Sequence, residues 1–562
     1  MKRGFHSMMV TKKQLETRCI SSLAKIFPDE EIKERPFTKA SAFLNEVYSF
    51  QIAYKSNDND LNRFIVNIES DLQSVIEVRK VGLVPSEFPI YDDHDEDILR
   101  DTPGLYPDPL YPLDDYQLDV VFGEWHAIWV TVHLNEQVPP GQHPIHVQFE
   151  TGLGEQLAVE SFTLEVLPAK LPEQELICTH WFHADCLASQ YEVDVFSEKH
   201  WQLIEQYVET AVQHGMNMLL TPLFTPPLDT DFGGERPTVQ LVDVVKSKDS
   251  YTFNFDRLER WIQMAYRHGV KYLEFSHLFT QWGAYHAPKV IAMEDGKAKK
   301  LFGWETDAHG QEYRHFLSQF LPSLIDFIKQ NRLDDVVYFH VSDEPNADTF
   351  QSYRKASEFM HQYVPDYPVI DALSDYPYYE QGIVKRPIPA NDHIEPFLQH
   401  QVPDLWTYYC CAQYKKVSNR FFNFPSARNR ITGIQLYKFN IIGFLHWGYN
   451  FWYSRLSKKA INPFKNTDAD KGFPSGDAFL VYPGENGPIE SIRLEVFYDA
   501  LQDLRALQLL TELIGQQQVI DLLEEDLDEA ITFSEYPRES DWLLNKREAI
   551  NRAIVEAIQN QK

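Results

Sequence analysis

VVYFHVSDEPNAD, residues 336–348, is the stretch on which the reading of this chain turns. Val336 to Val341 is a short β-branched and aromatic run, suited to a buried strand and too short for a helix. Pro345 cannot donate to a ladder, so the strand must stop there and leave Asp343 and Glu344 at its carboxyl end. The same grammar repeats on either side. ICTHWF (177–182), NMLLT (217–221), KYLEFS (271–276), PVIDAL (368–373), LWTYYC (405–410), IIGFLHW (441–447) and AFLVYP (478–483) complete a set of eight strand candidates. Amphipathic stretches alternate with them, and the first two close with His214-Gly215 and His268-Gly269, where glycine takes the left-handed cap. Strand and helix alternating in this order predict a (β/α)8 TIM-type barrel over residues 176–490.

Outside that region the pattern changes. FQIAYKS, RFIVNIES, IEVRKVGLV, HAIWVTVHL, HPIHVQFET and FTLEVLPA are alternating runs between turn residues, which predicts an N-terminal β-sandwich over residues 1–170. The Pro-, Asp- and Tyr-rich stretch from Val84 to Asp115 reads as a long ordered loop, and PAKLPEQE (168–175) as a linker. SIRLEVFYDALQDLRALQLLTELIG opens a helical segment, residues 491–562, expected to pack on the barrel. The expected fold is therefore multidomain α/β.

A net charge of −31 excludes nucleic acid and an anionic membrane surface as partners, because both demand basic patches. No apolar run has the length of a signal peptide or a membrane span, and the five cysteines are scattered and odd in number, so a cytoplasmic location is expected. Without paired CxxC or HxxxH spacings no metal site is expected, and no cofactor is implied. Cys410 and Cys411, taken as strand residues, would point to opposite faces. A homo-oligomer is left open.

In a barrel the active site lies at the carboxyl ends of the strands, and there the Asp343-Glu344 pair meets a ring of aromatic and polar side chains. His183, Asp375, Trp406, Tyr408, Tyr409, Trp447 and Asn450 all fall at predicted strand ends as candidate substrate-binding residues, and Trp282 on the loop after the third strand is a rim candidate. Arg236, on the long loop after the second strand, either binds substrate or braces its loop. Lone histidines at strand ends are more often hydrogen-bonded structure than metal ligands. Asp477 reads as a turn former. Paired carboxyls beside Trp and Tyr suit glycoside hydrolysis, where one group protonates the leaving oxygen and another answers the oxocarbenium charge. Consecutive residues cannot easily flank a bond from opposite faces. They can act side by side if the substrate's own 2-acetamido oxygen attacks, with Asp343 orienting the amide and Glu344 serving as acid, then base.

HVSDEP, LWTYYCC, GFLHWGYNFWY and FPSGDAFLVYPGENGPIESIRLEVF resemble the glycoside hydrolase family 123-like group, and VTVHLNEQVPPGQHPIHVQFE resembles its sandwich domain. The resemblance spans most of residues 40 to 510. It implies a β-N-acetylgalactosaminidase-like enzyme whose adjacent Asp-Glu pair falls on Asp343 and Glu344. It further implies a tyrosine on the acetamido carbonyl, Tyr408 or Tyr409, and Trp447 as a sugar platform. The substrate partner is then a carbohydrate carrying a β-linked 2-acetamido sugar. Two alternatives stand beside it: a hydrolase of another β-glycoside with Asp375 or Glu274 as a separate nucleophile, and a non-catalytic carbohydrate-binding protein.

Overall fold

The structure, a computed structural model, describes residues 14–113, 115–345 and 348–561. The N-terminal region is β-rich. A seven-stranded sheet, whose first strands are Leu15–Ser21, Glu46–Ser56, Trp125–Leu134, Ile76–Ser86 and Gly104–Pro112, faces a five-stranded sheet built on Gln156–Lys170 and Gly141–Glu150. Inward residues of both sheets meet in one apolar cluster, with Phe50 stacked on Phe162 at 4.2 Å between ring centroids.

Parallel strands follow. Ile177–His180, Gly443–His446 and Trp406–Tyr408 form one ladder, Met218–Thr221, Tyr272–Phe275 and Val337–Tyr338 a second, and Ile370–Ala372 with Arg386–Ile388 a third. Single bridges tie Phe339 to Val369 and Ala390 to Tyr408, and the Asn217 backbone N–H donates to the Cys178 carbonyl at 3.1 Å. The result is a curled parallel sheet. Trp181, Leu220, Tyr338, Ile370, Trp406 and Leu445 fill its concave side. Long helices cover the outside, among them Glu198–Gln213, Asp256–Arg267 and Gln311–Gln330. Gly215 and Gly269 take φ of +84° and +92° past the first two, as the His-Gly pairs predict.

The sequence reading is corrected at three places: Gly104–Pro112, inside the stretch read as a long loop, pairs as a strand with Ile76–Ser86, and two assignments in the parallel region change. The run 478–483 does not join the parallel sheet: Tyr482–Gly484 pairs antiparallel with Gly487–Ser491, which pairs with Gly104–Pro112 and extends the N-terminal sheet to seven strands. Its apolar residues are buried between regions of the molecule, where the Tyr482 hydroxyl donates to Asp108 at 2.5 Å. In its place Arg386–Ile388 supplies a parallel strand.

The C-terminal helix Ile492–Ile514 is buried along most of its length, and its N-cap Ser491 accepts from the Leu494 N–H. It packs on both regions rather than on one. Arg493 and Gln502 reach Asp108 and the Val47 backbone of the N-terminal sheet, while Asp503 takes Arg430 from the parallel region. Among the described residues no helix is long and apolar enough to cross a membrane.

Candidate active site

The fourth strand is only Val337–Tyr338, and the chain beyond it is held by side chains rather than by a ladder. The Val341 N–H donates to the Asp371 carboxylate, and the Ser342 hydroxyl donates to the Thr280 carbonyl at 2.7 Å. These ties turn Asp343 and Glu344 into a cavity of about 190 Å³ at the carboxyl end of the sheet. Glu344 sits at φ +45° and the facing Trp282 at +56°, left-handed conformations that cost energy in non-glycine residues and concentrate at functional sites. The Trp282 N–H donates to the Asp343 carbonyl at 2.9 Å, locking the two strained segments together.

Tyr408 donates its hydroxyl to Glu344 Oε1 at 2.8 Å. Trp447 forms another wall, its indole N–H donating to Asp477 Oδ2 at 2.9 Å and its ring set edge-on to Phe473 at 5.1 Å. The predicted residues Asp343, Glu344, Tyr408, Trp447 and Trp282 thus line one cavity.

The others lie elsewhere. Tyr409 points to the opposite side of its segment, against Phe444 and His446. Trp406 lies in the concave core, pressed on Gly443, where a Cβ would meet its ring at 2.0 Å. Asp375 is exposed at the start of the short helix Tyr376–Glu380. His183, Asn450 and Arg236 brace the loops. Asn450 Oδ1 accepts from the His183 N–H at 2.8 Å, His183 Nε2 meets the Trp447 carbonyl at 2.9 Å, and Arg236 clasps buried Asp185 with two bonds of 2.8 Å. Burial, reinforced by the Arg236 charge, pushes His183 down to about 4, so it is neutral.

Beneath the pair lies a charged network. His340 Nε2 contacts Glu274 Oε1 at 2.6 Å and Nδ1 contacts Asp371 Oδ1 at 3.0 Å; Thr179 and Trp181 also donate to Glu274, and Tyr353 to Asp371. Burial opposes its charge, but the two carboxylates prevail and raise His340 to about 10, making it an imidazolium. His277, His340 and Asp371 offer ligand atoms within 4.8 Å of one another. Yet an imidazolium whose two N–H groups are spent on carboxylates has no lone pair for a metal.

At the catalytic candidates burial outweighs the nearest positive charge, that of His340 on Asp343. Burial, then the Glu344 charge, pushes Asp343 well above the usual carboxylate range. Burial raises Glu344 too, against hydrogen bonds from Tyr408 and Trp282. Two like charges this close resist joint ionisation, so the pair retains a proton toward neutral pH and can deliver it.

Sequence reasoning missed four residues that line this cavity and one that anchors its wall. Asp229 and Arg455 come from loops with no local signature. Burial lifts Asp229 to about 6. Cys410 and Cys411 both line the cavity, because the strand ends at Tyr408 and strict alternation stops with it. Asp477, read as a turn former, is fully buried, anchors Trp447 and is raised by burial to about 7.

A half-buried carboxyl pair, held with strain among indole and phenol rings at the strand ends, defines a sugar-cleaving class of site. The family described as glycoside hydrolase 123, catalytic domain, matches residues 181–510, and the chain belongs to that family. Among solved structures, a family 123 glycoside hydrolase from Clostridium perfringens, studied for glycolipid glycan hydrolysis, shares the fold with a TM-score of 0.74. The likeness covers 97% of this chain and 98% of that one at 15% identity. A β-glucuronidase from Parabacteroides merdae aligns over 87% of this chain and 51% of its own, with a TM-score of 0.28 and 8% identity. Among curated proteins none matches the chain.

Proposed function

We propose that this glycoside hydrolase releases a non-reducing-end β-linked N-acetylgalactosamine with retention, by attack of the substrate's own 2-acetamido oxygen. Residues 1–170, 176–490 and 491–562 are read as its domains, with the curled sheet as a (β/α)8-type barrel. The carrying observation is the adjacency of Asp343 and Glu344 in one cavity, with Tyr408 on Glu344. Asp343 steers the acetamido N–H and balances the oxazolinium charge. Glu344 protonates the leaving oxygen and then activates water. Tyr408 is the tyrosine nearer the chemistry and Trp447 the platform for the sugar's C–H face. The alternative nucleophiles lose support: Asp375 is exposed away from the cavity, and Glu274 is buried beneath it and saturated with hydrogen bonds. The galacto preference rests on the family resemblance.

The test is product stereochemistry with an inhibitor. Proton NMR at early times shows the β-anomer first, and a thiazoline mimic of the cyclised intermediate inhibits strongly. An initial α-anomer overturns the internal nucleophile, whereas faster cleavage of the gluco epimer overturns the sugar assignment alone. Asp229 is the third carboxyl of the cavity. Asp229→Asn distinguishes the schemes, because a protein-nucleophile mechanism through it predicts loss as deep as that of Asp343→Asn.

A further inference from the structure

The cavity of about 190 Å³ is smaller than the ~300–1,000 Å³ that encloses a drug-sized ligand, so any glycan beyond one residue must lie outside it. The direction of exit is set by the acid. A leaving group departs beside Glu344, and Glu344 is bonded by Trp282, which begins the rim. The loop after Trp282 turns back on itself, with the Thr280 N–H donating to the His286 carbonyl at 3.0 Å, and leaves Tyr285 exposed and His286 half-buried. Across from it, Phe232 packs on His286 at 5.1 Å and on Trp304 at 5.8 Å between centroids.

This cluster is costly to leave bare. Phe232 is 69% exposed, Tyr285 46% and Trp282 44%, three large apolar side chains left open to solvent on neighbouring loops. Its loop is tied to the cavity wall, because Gln281 accepts from the Asp229 N–H at 2.5 Å and donates to the Thr230 carbonyl at 3.3 Å. Asp229 itself lines the cavity, three residues before Phe232.

We propose that Phe232, Tyr285, His286 and Trp304 form a stacking platform for the leaving-group portion of an oligosaccharide, a reading that rests on Glu344 being the acid. The aromatic faces match the apolar C–H faces of pyranose rings, and both loops that carry them start at the cavity wall, from Asp229 and from Gln281-Trp282. The enzyme therefore favours extended glycans over simple glycosides.

The experiment compares an aryl β-N-acetylgalactosaminide with an oligosaccharide of at least three sugars ending in the same residue. Phe232→Ala lowers kcat/KM on the oligosaccharide by about tenfold, as expected for one lost apolar contact, and Phe232→Tyr restores it. The aryl substrate, too short to reach the cluster, loses less than about twofold. Equal losses on both substrates, or none on either, overturn the platform. If the wild type cleaves neither substrate, the proposed sugar fails separately. The platform is then judged by ligand-observed NMR with the same oligosaccharide: weaker binding to Phe232→Ala sustains it, and unchanged binding overturns it.

Discussion

Two sets of buried carboxyl groups in this molecule meet opposite fates. Between the C-terminal helix and its neighbours, burial would raise Glu495, but Arg79 and His214 pull it down to about 2. Asp503 is likewise lowered despite burial, because Arg430 and Arg547 both clasp it, at 2.7 and 2.6 Å. In the cavity, Asp343 and Glu344 lie half-buried beside each other, and both are raised. Burial alone therefore does not mark a functional carboxyl; what sets these two pairs apart is the charge that faces each of them. Glu495 and Asp503 hold the regions of the fold together as anions, whereas in the cavity pair burial favours the protonated form.

The comparison breaks first on the structural side. Arg493 clasps Asp108 through two bonds of 2.8 and 2.9 Å, both residues about 1% exposed. Arg493→Met keeps an apolar stem but strands the Asp108 charge, and should cost about 3–5 kcal/mol in denaturant unfolding. Turnover per folded molecule should stay near wild type. Asp343→Asn should do the reverse, losing about 10²–10³-fold in kcat on every substrate while melting no lower than wild type, since it removes a buried repulsion. A large fall in Tm for Asp343→Asn would show that the pair is held together as structure.

Glu344→Gln sharpens the contrast within the pair. An activated aryl leaving group needs little protonation, so the variant should lose about 10²-fold on an alkyl or sugar leaving group and much less on a nitrophenyl one. Parallel losses measured across a series of leaving-group pKa values would remove Glu344 from the acid role.

How much of this was legible in the sequence depends on whether a signal was local. Asp343 and Glu344 stood out because a β-branched strand and a proline fix where the chain leaves the sheet. The choice between Tyr408 and Tyr409 stayed open, since alternation says that neighbours face opposite ways but not which way either faces. Alternation also misplaced Cys411, because the ladder ends at Tyr408. The run 478–483 has the composition of a buried strand, and composition cannot tell a parallel strand from apolar chain wedged between regions. Arg386–Ile388 escaped notice because prolines flank and interrupt it. Arg455, Asp229 and Asp477 reach the cavity or its walls only through tertiary packing, which leaves no periodic trace.

Asp477 provides the finest test, because it is a buried carboxyl with a partial answer to its charge. Trp447 donates to one oxygen, and the nearby Arg420 spends its bonds on His180 and His446 rather than on the carboxylate. Burial dominates, Arg420 and Trp447 oppose it, and the group settles at about 7. A carboxyl raised on folding stabilises the native state most below its unfolded pKa of about 3.9, and that contribution is lost as pH rises through the folded value. The Asp477→Asn variant keeps an oxygen for Trp447 and has nothing to titrate. Its stability relative to wild type should therefore rise between about pH 4 and pH 7, by roughly 1 kcal/mol for each pH unit, and level off above. Urea unfolding of both proteins across that range measures the difference directly. A flat difference would mean that Asp477 is a permanent anion like Asp503, and that Arg420 belongs with the interface arginines.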